Sequence, residues 1–360
     1  MVQQHHKMTI KSIKVYKKNL ALTRPYTIAF RTISDVEAVF VEIELKNGMV
    51  GLGSANPSIE VVGEDAQMAF DRLQSVDIQQ FVGRNIGDIF SIIEKIEQIF
   101  PHAPGTLAAM DIALHDAFCK YLGVTVAGFY GQKIEKMPTS VTIGIKNVAE
   151  TLEEATEYFD KKFKVLKVKL GNNFDEDIER LVKLRERFGK KMGIRVDANQ
   201  GYSMEEVVDF FNKTKKLNIE LVEQPTLVGT EESVQTLPLA IRQRLAADES
   251  LTNLDAAFQL AVNKTFGIFN IKLMKCGGIS AAREIANVAK AAQIDLFWGC
   301  NDESIVGITA ALHVAFAAQN TKYIDLDGSL DLAEDVVKSG FILKNGVMHL
   351  PKGKGLGLKM

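Results

Sequence analysis

The chain has 360 residues, 46% of them hydrophobic and 24% charged, and it carries a formal net charge of -2. Such a composition is typical of a globular protein with room for about two domains, or for one elaborated barrel. The concentrated positive charge of nucleic-acid-binding and membrane-surface proteins is missing, so neither a nucleic acid nor a membrane is expected as a partner.

The cysteines and the first residues bear on the compartment. Cys119, Cys276 and Cys300 are odd in number and have no CxxC spacing, so neither a disulfide framework nor a zinc knuckle is indicated. Residues 1–8 contain two histidines and a lysine, and no apolar stretch of the kind found in secretory signals follows them. We therefore expect a cytoplasmic protein.

The first part of the chain, residues 1–130, is predicted to form an α+β domain. Runs suited to strands, with an Asn47-Gly48 turn typical of hairpins, cover residues 10–17, 37–46 and 49–53. Helical periodicity follows near residues 66–73, 89–99 and 107–121.

From about residue 138 onward, short apolar or β-branched runs alternate with amphipathic helical segments. The predicted strands cover residues 139–143, 165–169, 194–197, 219–223, 245–248, 268–272, 296–298 and 323–325. The helical segments between them include residues 148–161, 175–188, 204–215, 253–262 and 281–292. Parallel strands joined by helices need right-handed crossovers, and eight such units close into a TIM-type barrel. An open doubly wound sheet is the alternative, although no glycine-rich phosphate loop with dinucleotide-binding spacing follows a strand.

The C-terminal residues are predicted to form a hairpin. Residues 341–343 and 347–350 flank an Asn345-Gly346 turn. We expect residues 340–360 to return to the first domain, which leaves residues 131–339 as the barrel domain.

Successive barrel strands are predicted to end on ionisable residues: Lys169, Asp197, Glu223, Asp248 and Lys272. They follow one another at intervals of about 25 residues, close to one strand-helix unit. Because the active sites of such barrels lie at the carboxyl ends of the strands, these side chains are expected to converge. A structural salt-bridge cluster is the alternative, but it would have to accommodate three acids flanked by lysines.

The three acids of this set suit a magnesium site. Asp197, Glu223 and Asp248 would supply hard oxygen ligands from neighbouring strands and leave coordination positions free for a substrate. Zinc is less well matched because neither histidine nor cysteine joins them.

Several segments, in order and at barrel spacing, resemble the muconate lactonizing enzyme subgroup of the enolase superfamily. They are Lys167-Val168-Lys169, Asp197-Ala198-Asn199-Gln200-Gly201, Glu223-Gln224-Pro225, Ala247-Asp248-Glu249-Ser250 and Lys272-Leu273-Met274-Lys275-Cys276-Gly277-Gly278-Ile279. The resemblance covers nearly the whole chain, including residues 101–116 and the C-terminal return. It implies a (β/α)7β barrel with an N-terminal α+β capping domain that the C-terminal segment completes.

The same resemblance implies a role for each charged residue. Asp197, Glu223 and Asp248 would hold Mg²⁺, which binds the substrate carboxylate and neutralises the enediolate formed on proton removal. Lys169 and Lys272 would be the acid/base residues on the two faces of the substrate.

Lys167 would help to hold a carboxylate oxygen, and alternation along the strand places it on the same side as Lys169. A lysine base must have its pKa lowered towards neutrality, and a nearby cation and a second ammonium would do so. Asn199 and Glu249 are expected to support the ligands rather than to react.

Residues at the end of the last strand distinguish the reactions that members of the subgroup catalyse. Asp325 and Asp327 resemble the Asp-x-Asp feature of dipeptide epimerases, where it binds the terminal ammonium of the substrate, and anions suit a cation bound away from the metal. A solvated loop is the alternative, because Asp327-Gly328 is also ordinary turn chemistry. The leading hypothesis is a dipeptide epimerase that inverts Cα of the C-terminal residue of Ala-Ala, Ala-Glu or another Ala-Xaa dipeptide, with peptidoglycan turnover as a source.

Further candidates for substrate contact are Thr142, at the end of the first barrel strand, and Cys300, after the seventh. A packing role is the alternative for each. The resemblance places recognition of the substrate side chain in a loop at residues 22–32, which carries Arg24, Tyr26, Ile28 and Phe30. Arg24 would favour a glutamate side chain and the apolar residues a neutral one, and the sequence leaves both open.

Other functions are compatible with the same metal ligands and lysines. An o-succinylbenzoate synthase, an N-acylamino acid racemase or a muconate-type cycloisomerase would use them without needing Asp325 and Asp327. A non-catalytic barrel would be expected to lack a ligand or a lysine, and none is missing. A homo-oligomer is compatible with the sequence.

Overall fold

The computed structural model describes residues 8–28 and 31–360, and within them the side chains of all residues except 25–28 and 31–33. It contains a three-stranded antiparallel sheet near the N-terminus, an eight-stranded parallel sheet, and a three-stranded sheet that includes the C-terminal hairpin. None of the helices in these described ranges has the length and apolar character needed to span a membrane.

The strands, in chain order, are β1 (Ile10–Ile28), β2 (Arg31–Leu45), β3 (Val50–Ala55), β4 (Lys136–Pro138), β5 (Ser140–Ile143), β6 (Val165–Lys169), β7 (Gly193–Asp197), β8 (Ile219–Glu223), β9 (Leu245–Ala247), β10 (Ile268–Ile271), β11 (Asp295–Trp298), β12 (Thr321–Ile324), β13 (Ile342–Lys344) and β14 (Val347–His349). The α-helices are Ile59–Val62, Ala66–Gln74, Val76–Gln79, Ile89–Ile99, Pro104–Leu122, Val126–Phe129, Val148–Asp160, Phe174–Phe188, Met204–Lys213, Glu231–Gln235, Leu239–Arg242, Leu254–Val262, Leu273–Cys276, Ile279–Ala291 and Ile305–Ala317. Short 3₁₀ turns cover Ile86–Asp88 and Gly189–Lys191.

Where the sequence predicts a loop at residues 22–32, residues 22–28 and 31–32 belong to a long antiparallel ribbon. β1 pairs with β2 from Ile10 opposite Leu45 to Ile28 opposite Arg31, with a shift of register between Ala21 and Tyr26. Extended backbone is favoured there because β-branched residues occur on both arms of the ribbon. Phe30 lies outside the described residues, as do the side chains of Tyr26 and Ile28.

The helix Pro104–Leu122 packs closely on the sheet of β1, β2 and β3. A Cβ atom added at Gly53 of β3 would lie 2.0 Å from the carbonyl oxygen of Ala109, so only glycine permits this approach. The helix has Pro104 in its first turn and is capped at its C-terminus by Gly123, which adopts a left-handed conformation with φ of 79°.

The parallel strands form a barrel in the sequential order β5 to β12. A parallel bridge between Thr139 and Ile324 joins the first and last strands and closes it. Helices follow each of the first seven strands, and the chain runs from β12 to β13 without another helix. The predicted (β/α)7β form is confirmed.

Three barrel strands end one residue earlier than predicted. Their last residues are Ala247 in β9, Ile271 in β10 and Ile324 in β12. The backbone turns away at these points, because Asp248, Lys272 and Asp325 begin the loops at the barrel mouth.

The C-terminal residues contact both the barrel and the N-terminal part of the chain. The β13–β14 hairpin pairs with β4, where Met348 lies opposite Met137. Further along, the backbone amide of Leu356 donates a hydrogen bond of 2.8 Å to Asp116 Oδ1, in the helix Pro104–Leu122. The second oxygen of Asp116 accepts from Leu52 of β3, so one buried carboxylate connects the tail to the N-terminal sheet.

Candidate active site at the barrel mouth

Lys167 lies at the centre of a buried charge cluster. Its Nζ is 2.8 Å from Glu223 Oε2, 3.2 Å from Asp197 Oδ2 and 3.1 Å from Asp325 Oδ2. The side chain is only 5% exposed, so these contacts are little screened by water. β6, β7 and β8 pair in register with Lys169, Asp197 and Glu223 side by side, which brings the acids together.

Lys169 and Lys272 approach the mouth from opposite sides. Lys169 is the last residue of β6 and Lys272 follows β10, four strands away in the eight-stranded barrel. Lys169 Nζ donates a hydrogen bond of 3.2 Å to Asn199 Oδ1 and keeps 40% of its side chain exposed. Lys272 Nζ donates one of 2.8 Å to Asp248 Oδ2. The two ammonium groups therefore flank a common space.

Sharp turns after two strands aim the acids at this space. Asn199 and Gln200 have φ of 42° and 66°, and Gln224 has φ of 30°. Residues other than glycine rarely adopt such positive φ angles. The amide of Asn199 donates to Asp197 Oδ1 at 3.0 Å, and Gln224 Oε1 accepts from the amide of Asp248 at 2.9 Å. Hydrogen bonds of this kind hold the strained segments in place.

Burial and crowding shift the protonation of the cluster. Burial raises the pKa of Glu223 to about 8, with a further contribution from the neighbouring Asp197 carboxylate. Burial by itself lowers the pKa of Lys272, but the carboxylates of Asp248 and Glu223 outweigh it and the net shift is upward. This differs from the lowering expected from the sequence, because that expectation included a cation to neutralise the carboxylates.

The acids at the barrel mouth are suitable ligands for Mg²⁺, although the ammonium groups of two lysines lie between them. Glu223 Oε2 is buried and receives no hydrogen bond within the described residues, even though Lys167 Nζ lies 2.8 Å away. Such an oxygen, with Asp197 at the end of β7 and Asp248 just after β9, is a suitable ligand for a hard cation. Across residues 8–28 and 31–360, no three acidic, histidine or cysteine side chains converge closely enough to hold an ion. Lys167 and Lys272 occupy positions between the acids instead.

Asp325 and Asp327 differ in their surroundings. Asp325 is buried, accepts a hydrogen bond of 2.6 Å from Ser140 and pairs with Lys167. Asp327 is half-buried and accepts one of 2.7 Å from the backbone amide of Thr142. Burial, with the charge of Asp325, raises the pKa of Asp327 to about 7. Cys300 contacts the carbonyl oxygen of Asp325 at 3.3 Å, so Thr142 and Cys300 both flank the aspartates.

Arg24 reaches the barrel but not the charge cluster. Its Nη1 lies 3.1 Å from Glu157 Oε2, and its Nη2 bonds to the other carboxylate oxygen. Glu157 lies in the helix Val148–Asp160 and also binds Lys161 at 2.6 Å. The guanidinium is half-exposed, and its partner is a glutamate of the protein.

Four supporting residues had no predicted role. Asn270 donates to Glu223 Oε1 at 2.7 Å, and Lys275 bonds to Asp248. Ser140 bonds to Asp325, while burial raises the pKa of Glu303, which accepts from Asn301, to about 7. Alternation along the strands would have identified two of them, since Asn270 precedes Lys272 and Ser140 precedes Thr142 by two residues.

Comparison with known proteins places the chain in a family. Residues 10–131 match the mandelate racemase / muconate lactonizing enzyme N-terminal domain, and residues 150–360 match the enolase C-terminal domain-like family. The L-Lys-D/L-Arg epimerase of Desulforapulum autotrophicum is 50% identical over 98% of this chain and 99% of its own length.

Solved structures agree in fold over the full length. The dipeptide epimerase of Methylococcus capsulatus, complexed with Mg and the dipeptide L-Arg-D-Lys, has a TM-score of 0.96 and 44% identity, covering 98% of this chain and 100% of that one. The dipeptide epimerase of Enterococcus faecalis, complexed with Mg and L-Leu-L-Tyr, has a TM-score of 0.92 and 31% identity at the same coverage.

The relatives establish the chemical class as well as the fold. This protein is an isomerase of the racemase and epimerase class, and it uses Mg²⁺. Two family matches that together span most of the sequence show that the chain belongs to the enolase superfamily, in its muconate lactonizing enzyme subgroup.

Proposed function

We propose that this protein is a dipeptide epimerase that inverts Cα of the C-terminal residue of dipeptides with basic side chains. The observation that carries the proposal is the placement of Lys169 and Lys272 on opposite sides of a mouth where Asp325 and Asp327 also lie. Two opposed acid/base groups suit inversion of one carbon, and Asp327, which has no ion pair within the described residues, suits a free substrate ammonium.

The reaction needs one proton to leave and one to arrive. Lys169 or Lys272, in its neutral form, takes the Cα proton from one face, and the ammonium of the other lysine delivers a proton to the opposite face. Asp197, Glu223 and Asp248 would hold Mg²⁺, which would supply positive charge to the carboxylate end of the substrate. Lys167, central to the acids, would bind a carboxylate oxygen of the substrate.

The choice of basic side chains is supported by acids around one side of the mouth. Asp331 follows Asp327 in the same loop. Burial raises its pKa, the charge of Arg24 opposes this shift, and the charges of Asp302 and Glu154 add to it, so the net shift is upward. The carboxylates of Asp302 and Glu154 therefore lie near Asp331, and a group of neighbouring carboxylates favours a cation beside it. The relatives that act on, or are complexed with, Lys- and Arg-containing dipeptides point the same way.

This proposal changes the side chain expected from the sequence. The sequence left two kinds of Ala-Xaa dipeptide open: Ala-Glu, which Arg24 would favour, and neutral ones such as Ala-Ala, which the apolar residues of the same segment would favour. In the structure Arg24 binds Glu157, so the guanidinium is already paired, and the acids near it would repel a glutamate side chain. A source in peptidoglycan stays a prediction, as does the cytoplasmic location.

The test is a panel of free dipeptides incubated with the enzyme and Mg²⁺ in deuterated water, with exchange at Cα read by mass spectrometry. Lys- and Arg-containing dipeptides are expected to gain one deuteron and to epimerise faster than Ala-Ala or Ala-Glu. Faster turnover of Ala-Glu would return the substrate to the Ala-Xaa class. Exchange confined to N-acyl or N-succinyl amino acids would replace the dipeptide proposal with the racemase alternative.

A further inference from the structure

Lys275 uses all of its hydrogen-bonding capacity inside the protein. The residue is 4% exposed, and its Nζ donates to Asp248 Oδ1, to the carbonyl oxygen of Asp248 at 2.5 Å and to that of Asn270 at 3.2 Å. An ammonium group carries three hydrogens, so three acceptors leave none for a substrate. Lys275 therefore acts on the site through other residues.

The Asp248 carboxylate is held by a different lysine at each oxygen. Lys275 binds Oδ1, and Lys272 binds Oδ2 at 2.8 Å. Only Lys275 is also tied to main-chain carbonyls, at the ends of β9 and β10, so its ammonium is a fixed point. Lys272 has no such second anchor in the described structure and is the more exposed of the two.

A second carboxylate is held by the same stretch of chain. Asn270, whose carbonyl accepts from Lys275, donates from Nδ2 to Glu223 Oε1 at 2.7 Å. One short segment that contains Lys272 therefore orients Asp248 through Lys275 and Glu223 through Asn270.

We propose that Lys275 is a positioning residue that fixes the rotation of the Asp248 carboxylate, so that Oδ2 is the oxygen offered to Mg²⁺. The inference rests on the proposed role of Asp248 as a metal ligand and does not depend on which dipeptide is the substrate. Without Lys275, the carboxylate rotates about Cβ–Cγ and meets Lys272 through both oxygens, which withdraws it from the metal.

Loss of a positive charge and loss of an orienting partner are expected to change the affinity for the metal in opposite directions. Deleting a positive charge near the site strengthens the attraction for a cation, whereas deleting a partner that orients a ligand typically costs about 10- to 100-fold in affinity or activity. Lys272→Met is a matched control, because it removes an ammonium from the same carboxylate without removing a main-chain anchor.

The experiment measures the dissociation constant of Mn²⁺ on the full chain by electron paramagnetic resonance, with thermal unfolding to confirm folding. Lys275→Met is expected to weaken Mn²⁺ binding by about tenfold or more, while Lys272→Met binds at least as tightly as wild type. Wild-type or tighter binding by Lys275→Met would overturn the proposal, and so would an equal loss in both variants. Asp248→Asn tests the ligand assignment separately: if it binds Mn²⁺ like wild type, that assignment fails.

Lys275→Arg carries the test if Lys275→Met does not fold. The positive charge is kept, but a planar guanidinium cannot meet three acceptors arranged around a compact ammonium. Folded Lys275→Arg is expected to bind Mn²⁺ about tenfold more weakly, and wild-type affinity in that variant would show that charge alone matters.

Discussion

Lys167 Nζ lies 3.1 Å from Asp325 Oδ2, so the first aspartate of the Asp325-Leu326-Asp327 segment is already paired with an ammonium of the protein. Ser140 occupies its other oxygen at 2.6 Å. Asp327 has a backbone amide as its partner and no ion pair within the described residues. The two acids, which the sequence treats alike, are therefore expected to act differently.

Asp327→Asn is expected to raise KM for a free dipeptide, because this carboxylate would be the less compensated partner of the substrate ammonium. A desolvated charge pair that loses one member typically costs about 2 kcal/mol or more, roughly 30-fold. Asp325→Asn should lower kcat instead, since it disturbs Lys167. Steady-state kinetics on a dipeptide and its N-acetylated form separate the two. Equal losses of Asp327→Asn on both forms would contradict binding of the ammonium.

Loss of either lysine should stop epimerisation. Lys169→Ala and Lys272→Ala each remove one of two opposed acid/base groups, and such groups typically contribute roughly 10²- to 10⁴-fold to the rate. Each variant is expected to exchange the Cα hydrogen of only one substrate stereoisomer in deuterated water. The readout is the deuterium content of both stereoisomers, and interconversion by Lys272→Ala at the wild-type rate would refute a two-base mechanism.

Removal of the metal should abolish turnover. Asp197, Glu223 and Asp248 are the proposed ligands of Mg²⁺, so excess chelator is expected to stop the reaction and Mg²⁺ to restore it. Glu223→Gln should lose most activity and remain folded, because an amide keeps the shape of the side chain and can accept from Asn270 Nδ2. Activity is assayed with and without Mg²⁺, and circular dichroism monitors the fold. Full turnover in chelator would exclude the metal from the mechanism.

The acids at the barrel mouth are expected to determine the enzyme's preference for substrates with basic side chains. The double variant Asp302→Asn with Asp331→Asn is expected to lower kcat/KM for Lys- and Arg-containing dipeptides by about tenfold, equivalent to about 1.4 kcal/mol. Turnover of a neutral dipeptide such as Ala-Ala should be unchanged.

Glu334→Gln is the matched control for that variant, because Glu334 is an exposed acid of the same loop and pairs with Lys18 at 3.3 Å. This variant should change kcat/KM for neither the basic nor the neutral dipeptide. An equal loss of kcat/KM for basic and neutral dipeptides in the double variant would show that the substitutions disturbed the structure of the loop, rather than an interaction between its carboxylates and a basic side chain.

His313 should make stability depend on pH. It is fully buried, accepts from the amide of Ala127 at 3.1 Å and contacts the carbonyl oxygen of Leu356 at 3.2 Å. Burial lowers its pKa to about 4, despite the opposing hydrogen bond to Leu356. The pKa of His313 in the folded state is below the usual value of about 6.5, so on acidification the unfolded state binds the proton at a higher pH than the folded state does. The free energy of unfolding therefore decreases as pH falls from about 6.5 towards 4.

The effect can be measured by urea unfolding between these pH values. The stability advantage of wild type over His313→Gln is expected to shrink by about 3 kcal/mol across the range. A difference that does not vary with pH would show that His313 titrates alike in the folded and unfolded chain.

Much of the architecture could be predicted from the sequence, because it depends on local periodicity. Strand-length apolar runs alternating with amphipathic segments specify parallel strands with helical crossovers, and the last residue of a strand necessarily lies at the mouth of such a barrel. Lys169, Asp197 and Glu223 lie where that reasoning put them. Their roles as base and ligands remain predictions.

Only the tertiary structure decided which charges meet. Lys167 pairs with Asp325 from the opposite end of the barrel sequence, and Arg24 pairs with Glu157. Such contacts join residues more than a hundred positions apart, and no periodicity encodes them. The ribbon of β1 and β2 and the second anchor of Asp248 at Lys275 also depend on packing across the fold. The sequence by itself determined the barrel and the set of ionisable residues, whereas their partners were decided by strand closure, which brings distant side chains within hydrogen-bonding distance.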